Sequence, residues 1–220
     1  MHFPIDLSIA GNKIDSHFVF ETLAFVVGFR YFIYLRKRTT DQLSDYKRVL
    51  ITTMAALGAL LGSRILGVLE NPELLAQNAG NFIFYFSSKT VVGGFLGGLA
   101  GTEITKKIIG ESRSSGDLLT YPILLALIIG RIGCFLSGIE DSTYGNPSNL
   151  PWAMDLGDGI LRHPTALYEI LYLIIIWIGI KQLEKRTHLA DGSKFKLFMI
   201  AYLCFRLAVE FVKPVYVLPI

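Results

Sequence analysis

The chain has 220 residues, of which 52% are hydrophobic and 18% are charged, and its formal net charge is +3. Its mean hydropathy of +0.48 is far above that of water-soluble domains, and so high an apolar content excludes intrinsic disorder. Two cysteines are too few for a disulfide scaffold, and the 21 glycines have no collagen period. The composition therefore predicts an integral membrane protein.

Six apolar runs follow one another along the chain and predict the helices that cross the membrane. A bilayer core of about 30 Å requires roughly 20 helical residues, so the last two runs are short. The runs cover residues 18–35, 49–69, 90–109, 118–139, 164–180 and 197–212. The segment before the first run lacks the basic and apolar regions of a secretory signal peptide, so we expect none. No repeat or linker interrupts the chain.

These runs predict an all-α fold, a polytopic membrane helix bundle of about six transmembrane helices in a single integral membrane domain, residues 1–220. Most of the 21 lysines and arginines lie in the first, third and fifth connections between runs. By the positive-inside rule these connections are cytoplasmic, and both the N-terminus and the C-terminus lie outside. Because the basic excess reports orientation, we expect no nucleic-acid partner.

Four arginines and four glutamates lie inside the apolar runs, where each charge costs roughly 2.5–3.5 kcal/mol at mid-bilayer. They are Glu21, Arg30, Arg64, Glu103, Arg131, Glu169, Arg206 and Glu210. Neutralisation in pairs, or snorkelling near helix ends, is one explanation, and Arg206 and Glu210 stand four residues apart on one helix face. The other explanation is that guanidinium groups bind the phosphate of an anionic lipid.

Glycines recur at helical spacing in the second and third runs. They are Gly58, Gly62, Gly93, Gly94, Gly97, Gly98 and Gly101. Small residues at this spacing favour close helix packing. The alternative, which is compatible with packing, is that the turn before the third helix directs the backbone N–H groups of Gly93 and Gly94 towards an anion.

The richest polar pattern begins where the fourth run ends, with GRIGCFLSG at 130–138. A polar loop follows, containing PWAM at 151–154 and RHPTALYE at 162–169. We expect this loop to gather four side chains near one outer mouth of the bundle, namely Arg131, His163, Tyr168 and Glu169. His163 has the alternative role of a helix cap at the interface.

These motifs, in this order and together with RLAVEFVKP at 206–214, resemble the prolipoprotein diacylglyceryl transferase family. Its members are bacterial membrane enzymes that move a diacylglyceryl group from phosphatidylglycerol to a cysteine thiol of a lipoprotein precursor. The resemblance covers most of residues 60–214. It implies a multi-pass protein of the bacterial plasma (inner) membrane whose partners are phosphatidylglycerol and a lipoprotein precursor or another acceptor, with no cofactor and no metal.

The resemblance also implies roles for particular residues. It implies that Arg131 and Arg206 hold the lipid phosphate. We predict Arg64, Gly93 and Gly94 as further lipid-phosphate ligands, and the catalytic set as Arg131, Arg206, His163, Glu169 and Glu210. The sequence departs from the family pattern at several positions, of which two bear most directly on the chemistry. Val92 replaces a histidine that is implied to be catalytic, and Cys134 replaces an asparagine.

Sulfur displaces a phosphate from carbon only as a thiolate, and cations must stabilise the departing phosphate. The arginines can stabilise the departing phosphate. The base that forms the thiolate is predicted to be His163, Glu169 or Glu21. Cys134 is either a packing residue or a nucleophile. The alternatives to this transferase are a related lipid-group transferase with another acceptor and a non-catalytic phospholipid-binding homologue. A small transporter fits less well, because no polar path crosses the bundle.

Overall fold

Helices make up most of the computed structural model, which describes residues 3–5, 7–9, 12–39, 41–70, 72–78, 80–141 and 143–214. In chain order they are α1 (Ser16–Arg38), α2 (Asp45–Leu69), α3 (Pro72–Gln77), α4 (Phe82–Ser87), α5 (Val91–Ile108), α6 (Asp117–Ser137), α7 (Thr165–Arg186) and α8 (Ser193–Glu210). The six long helices coincide with the six predicted apolar runs. The all-α prediction is therefore confirmed.

Four of these helices, α1, α2, α6 and α7, are long and apolar enough to cross a membrane. The other two long helices have only 18 residues each, of which three in α5 and four in α8 are charged. In α5 the charges lie towards the C-terminal end, where Lys106 Nζ pairs with Glu103 Oε1 at 3.1 Å. The apolar helices α1, α2, α6 and α7 confirm the membrane-protein prediction.

The helix ends follow local sequence signals. The Asp15 carboxylate accepts a hydrogen bond from the His17 backbone N–H at 2.9 Å, which caps the start of α1. Three basic residues, 36–38, occupy the last turn of α1, and two more end α7. Cations there complement the carbonyl groups at the helix C-terminus. These are the helix ends that the charge pattern assigns to the cytoplasm.

The chain divides into two compact units, residues 1–40 with 116–220 and residues 41–115. In the first unit α6 packs against α1, α7 and α8. Its core contains fully buried Leu124, Leu173, Phe198 and Tyr202. The same unit contains two small antiparallel hairpins, β1 (Leu7–Ile9) with β2 (Asn12–Ile14) and β3 (Met154–Asp155) with β4 (Leu161–Arg162).

The polar loop after α6 begins with a 3₁₀ turn, Gly138–Asp141, and then returns to α7 through the β3–β4 hairpin. The hairpin turn depends on two glycines with positive φ, Gly157 at 119° and Gly159 at 75°. Their N–H groups donate to the Asp155 carboxylate at 2.8 and 2.9 Å. The hairpin therefore fixes where the chain enters α7, on which Glu169 lies.

In the second unit, α2 and α5 meet glycine to glycine, as the spacing predicts. A Cβ atom added to Gly97 would lie 2.1 Å from the carbonyl oxygen of Gly58, and one added to Gly93 would lie 2.4 Å from that of Gly62. No side chain fits at such distances. The close-packing prediction for these glycines is confirmed.

The loop after α5 is held to the start of α2 by a buried carboxylate. Glu111 Oε2 accepts a hydrogen bond from Lys47 Nζ at 2.9 Å, and Oε1 accepts one from Arg113 Nε at 2.8 Å. The guanidinium of Arg113 and then the Lys47 ammonium hold the pKa of Glu111 well below its ordinary value of 4.5. This ion-pair network ties together two segments that are distant in sequence.

The glycine contacts predict that Gly97→Ala destabilises the second unit by about 1–3 kcal/mol, because the new methyl group overlaps backbone. Gly94→Ala is the matched control on the same helix, since the nearest atoms would be 3.8 Å from its Cβ. Thermal unfolding in detergent measures both variants. Equal melting temperatures for the two would contradict the packing described.

For Glu111→Gln we expect a loss of stability that depends on pH. A carboxyl group whose folded pKa is lowered stabilises the fold fully above its unfolded pKa and loses this effect as pH falls through the folded value. The difference in melting temperature between the wild type and Glu111→Gln is therefore constant from neutral pH to about pH 5 and disappears only in stronger acid. Glu103→Gln, at a carboxylate that is 66% exposed, is the control. A difference in melting temperature that already disappears above pH 5 would refute the lowered pKa of Glu111.

Candidate active site

A buried carboxylate joins three helices of the first unit. Glu169 of α7 is 3% exposed, and its Oε1 accepts hydrogen bonds from Arg131 Nε of α6 at 2.8 Å and from Tyr202 Oη of α8 at 2.7 Å. Its Oε2 lies 3.3 Å from Nη1 of Arg206, also on α8. We call these four residues the Glu169 cluster.

The charges of the Glu169 cluster do not cancel. Two guanidinium groups share one carboxylate, so the cluster retains one positive charge. Nε of Arg206 is buried, and it has no hydrogen-bond acceptor in the described part of the chain. Because an unmade hydrogen bond of a buried donor costs roughly 1–3 kcal/mol, the cluster favours an added anionic acceptor.

A further cation follows α8. Burial lowers the pKa of Lys213, and the positive charge of Arg206 nearby lowers it further. The backbone carbonyl of Lys213 accepts a hydrogen bond from Asn146 Nδ2 at 3.1 Å. The polar loop thereby holds the end of α8, the helix that carries Arg206.

His163 belongs to a neighbouring group. Its Nδ1 lies 3.0 Å from Tyr168 Oη, which accepts a hydrogen bond from Trp152 Nε1 at 2.8 Å. Tyr168 and Glu169 are adjacent on α7, so they point about 100° apart around the helix axis. The expected gathering of four side chains is therefore divided in two: Arg131 contacts Glu169, and His163 contacts Tyr168.

Glu210 is exposed at the last position of α8. Arg206, one helical turn earlier, instead faces Glu169 on α7. The alternative that Arg206 pairs with Glu210 on its own helix is wrong, because the buried carboxylate attracts the guanidinium more strongly than a solvated one does. The sequence did not predict a role for Tyr202, because a tyrosine in an apolar run looks like a core residue.

The remaining predicted phosphate ligands lie in the second unit. The guanidinium of Arg64 stacks on the Phe86 ring at 4.8 Å, and its Nε is buried with no acceptor among the described residues. Gly93 is buried in helix packing. The Gly94 N–H donates to the Thr90 carbonyl at 3.1 Å. Since that bond lies inside the helix, the expectation of an open Gly94 donor for an anion is wrong.

Apolar helices long enough to span a membrane and an arginine–glutamate cluster between α6, α7 and α8 define a helical membrane protein. The family model described as prolipoprotein diacylglyceryl transferase matches residues 4–219. The chain belongs to this family of membrane transferases.

Three curated relatives carry the name phosphatidylglycerol–prolipoprotein diacylglyceryl transferase. The protein of Finegoldia magna is 29% identical over 214 residues, which cover 94% of this chain and 82% of that protein. Those of Bordetella parapertussis and Methylococcus capsulatus are 31% and 32% identical, over 72% of this chain and 62% of each relative. The chain thus spans less than two thirds of the length of these last two.

The Glu169 cluster predicts that Glu169→Ala costs about 3–5 kcal/mol of folding free energy, because it leaves the buried guanidinium of Arg131 and the partly buried one of Arg206 without a carboxylate partner. Glu210→Ala removes an exposed carboxylate and should change stability by less than about 0.5 kcal/mol. Chemical unfolding in one detergent compares the two variants. A Glu169→Ala protein as stable as the Glu210→Ala protein would show that the carboxylate does not organise the bundle.

Proposed function

We propose that this chain transfers a diacylglyceryl group from phosphatidylglycerol to the cysteine thiol of a lipoprotein precursor, the activity named in its relatives. The observation that carries the proposal is the Glu169 cluster. It presents two guanidinium groups at fixed positions, an excess positive charge and a buried N–H group of Arg206 without an acceptor. Each of these features suits a phosphate diester.

Arginine suits this role better than lysine does. Its planar guanidinium offers several N–H donors in a fixed fork, so Arg131 and Arg206 can each bind Glu169 with one edge and the lipid phosphate with another. The carboxylate thus orients both groups before the lipid arrives. Glu169 is in this account a positioning residue, because three donors already engage its oxygens.

The reaction is a substitution at carbon. The acceptor thiolate attacks the glyceryl carbon, a C–S bond forms as the C–O bond to phosphate breaks, and the electron pair stays on the phosphate oxygen of the leaving glycerol phosphate. Arg131 and Arg206 stabilise the charge that collects there. His163 and Glu210 remain candidates for accepting the thiol proton. The role of Arg64, which lies in the second unit, stays a prediction.

The setting follows from the helices. We propose that residues 1–220 act as one multi-pass domain of the bacterial plasma (inner) membrane, with both termini outside. The basic last turns of α1, α5 and α7 support this orientation. The partners are then phosphatidylglycerol and a precursor with an acceptor cysteine, and no nucleic acid.

A second candidate function is the binding of phosphatidylglycerol without transfer. Val92 favours it, because valine cannot take part in the proton transfer that a histidine at this position would perform. Both functions use the Glu169 cluster to bind the lipid, but only the transferase converts the lipid to a thioether product.

Transfer is measured with purified protein, phosphatidylglycerol and a precursor peptide that contains one acceptor cysteine. We expect Arg131→Lys and Arg206→Lys to lower kcat/KM about a hundredfold or more, because each variant keeps its charge but loses a positioned donor. Arg30→Lys, on the exposed side of α1, is the control. Unchanged rates in both cluster variants would refute the role of the arginines, and lipid binding without any thioether product would favour the second function.

A further inference from the structure

His17, Cys134 and Asp141 meet where α1 begins and α6 ends. His17 lies in the first turn of α1, Cys134 in the last turn of α6, and Asp141 closes the 3₁₀ turn. One ligand atom of each lies within 4.8 Å of the others, and His17 Nδ1 is 2.7 Å from Asp141 Oδ1. The arrangement brings together an imidazole, a thiol and a carboxylate from segments far apart in sequence.

We propose that His17, Cys134 and Asp141 bind a zinc ion. Thiolate sulfur, imidazole nitrogen and carboxylate oxygen are the three kinds of ligand that zinc takes in proteins. Three protein ligands leave the fourth tetrahedral position open, as in catalytic rather than structural zinc sites.

The distances are compatible with such a site. Zinc lies 2.0–2.3 Å from its ligands, so tetrahedral ligand atoms are roughly 3.3–3.8 Å apart. Side-chain rotation is enough to bring atoms within 4.8 Å of one another to that spacing. The close contact between His17 Nδ1 and Asp141 Oδ1 widens as the metal takes its place between the two atoms.

The acidic groups around His17 and Asp141 favour a cation, and neighbouring side chains hold these two ligands in place. A cavity of about 250 Å³ borders His17 and Asp141, and its lining also includes the acidic side chains of Asp15 and Glu140. His17 Nε2 faces Glu21 Oε2 at 3.6 Å, and Thr143 Oγ1 donates to Asp141 Oδ2 at 2.6 Å. Such outer contacts orient metal ligands, and the cavity gives access to the open position.

The zinc site lies next to the proposed phosphate site, because Arg131 contacts both. Its Nη1 is 3.5 Å from Cys134 Sγ, while its Nε binds Glu169 at 2.8 Å. If the proposed function holds, the fourth ligand is the acceptor cysteine. Its thiol would lose the proton to water on binding zinc. The sulfur would then form the C–S bond and leave zinc as a thioether, while the C–O bond breaks with its electron pair left on phosphate.

The test measures metal directly. Purified protein is incubated with zinc, desalted and assayed for metal content, and a parallel sample with cobalt is examined for the thiolate-to-cobalt absorption band. We expect roughly one zinc per wild-type chain. Cys134→Ser should abolish the cobalt band and weaken zinc binding by more than about tenfold. The exposed Cys204 provides the matched control, because Cys204→Ser should change neither result.

Asp141→Asn is a second variant, for use if Cys134→Ser does not fold, and it should weaken zinc binding likewise. A folded wild-type protein without bound zinc, or a cobalt band that survives Cys134→Ser, would overturn the site. Phosphatidylglycerol binding is measured on the same preparations. Zinc binding without phosphatidylglycerol binding would refute the proposed function and leave the metal site supported. Lipid transfer by protein that binds no zinc would support the proposed function and refute the metal site.

Discussion

One buried carboxylate organises the first unit. In an apolar bundle two arginines would repel each other and lack hydrogen-bond partners, so both can be buried only where an acceptor lies between them. Glu169 is that acceptor, and Tyr202 completes its coordination. The positions of α6, α7 and α8 relative to one another therefore depend on a polar interaction, and in the proposed function the same interaction orients the arginines for the lipid phosphate.

The sequence predicted the helices well, because apolar runs separated by basic connections leave little choice in a membrane. The glycine contacts between α2 and α5 were also predictable, since small residues every four positions expose a continuous strip of backbone. The site was predictable only in part. Arg131 and Glu169 come from recognisable motifs, but the contact between His17 and Asp141 joins positions that no local pattern relates.

Two departures from the family pattern acquire different meanings in the structure. Val92 lies at the start of α5 in the second unit, where it removes a titratable group. Cys134 lies in the first unit beside His17, Asp141 and Arg131, where it adds a metal-binding group. Zinc-bound thiolate is a nucleophile that needs no protein base at the moment of attack. The proposed metal site therefore offers this chain a way to activate a thiol without a histidine at position 92.

The central claim is that the Glu169 cluster binds the phosphate of an anionic phospholipid. Native mass spectrometry of the protein, released from micelles that contain equal amounts of phosphatidylglycerol and phosphatidylethanolamine, measures this directly. The wild type is expected to retain phosphatidylglycerol preferentially, and Arg206→Gln to lose that preference by about tenfold, the effect of one charged hydrogen bond. An unchanged preference in folded Arg206→Gln protein would contradict the account.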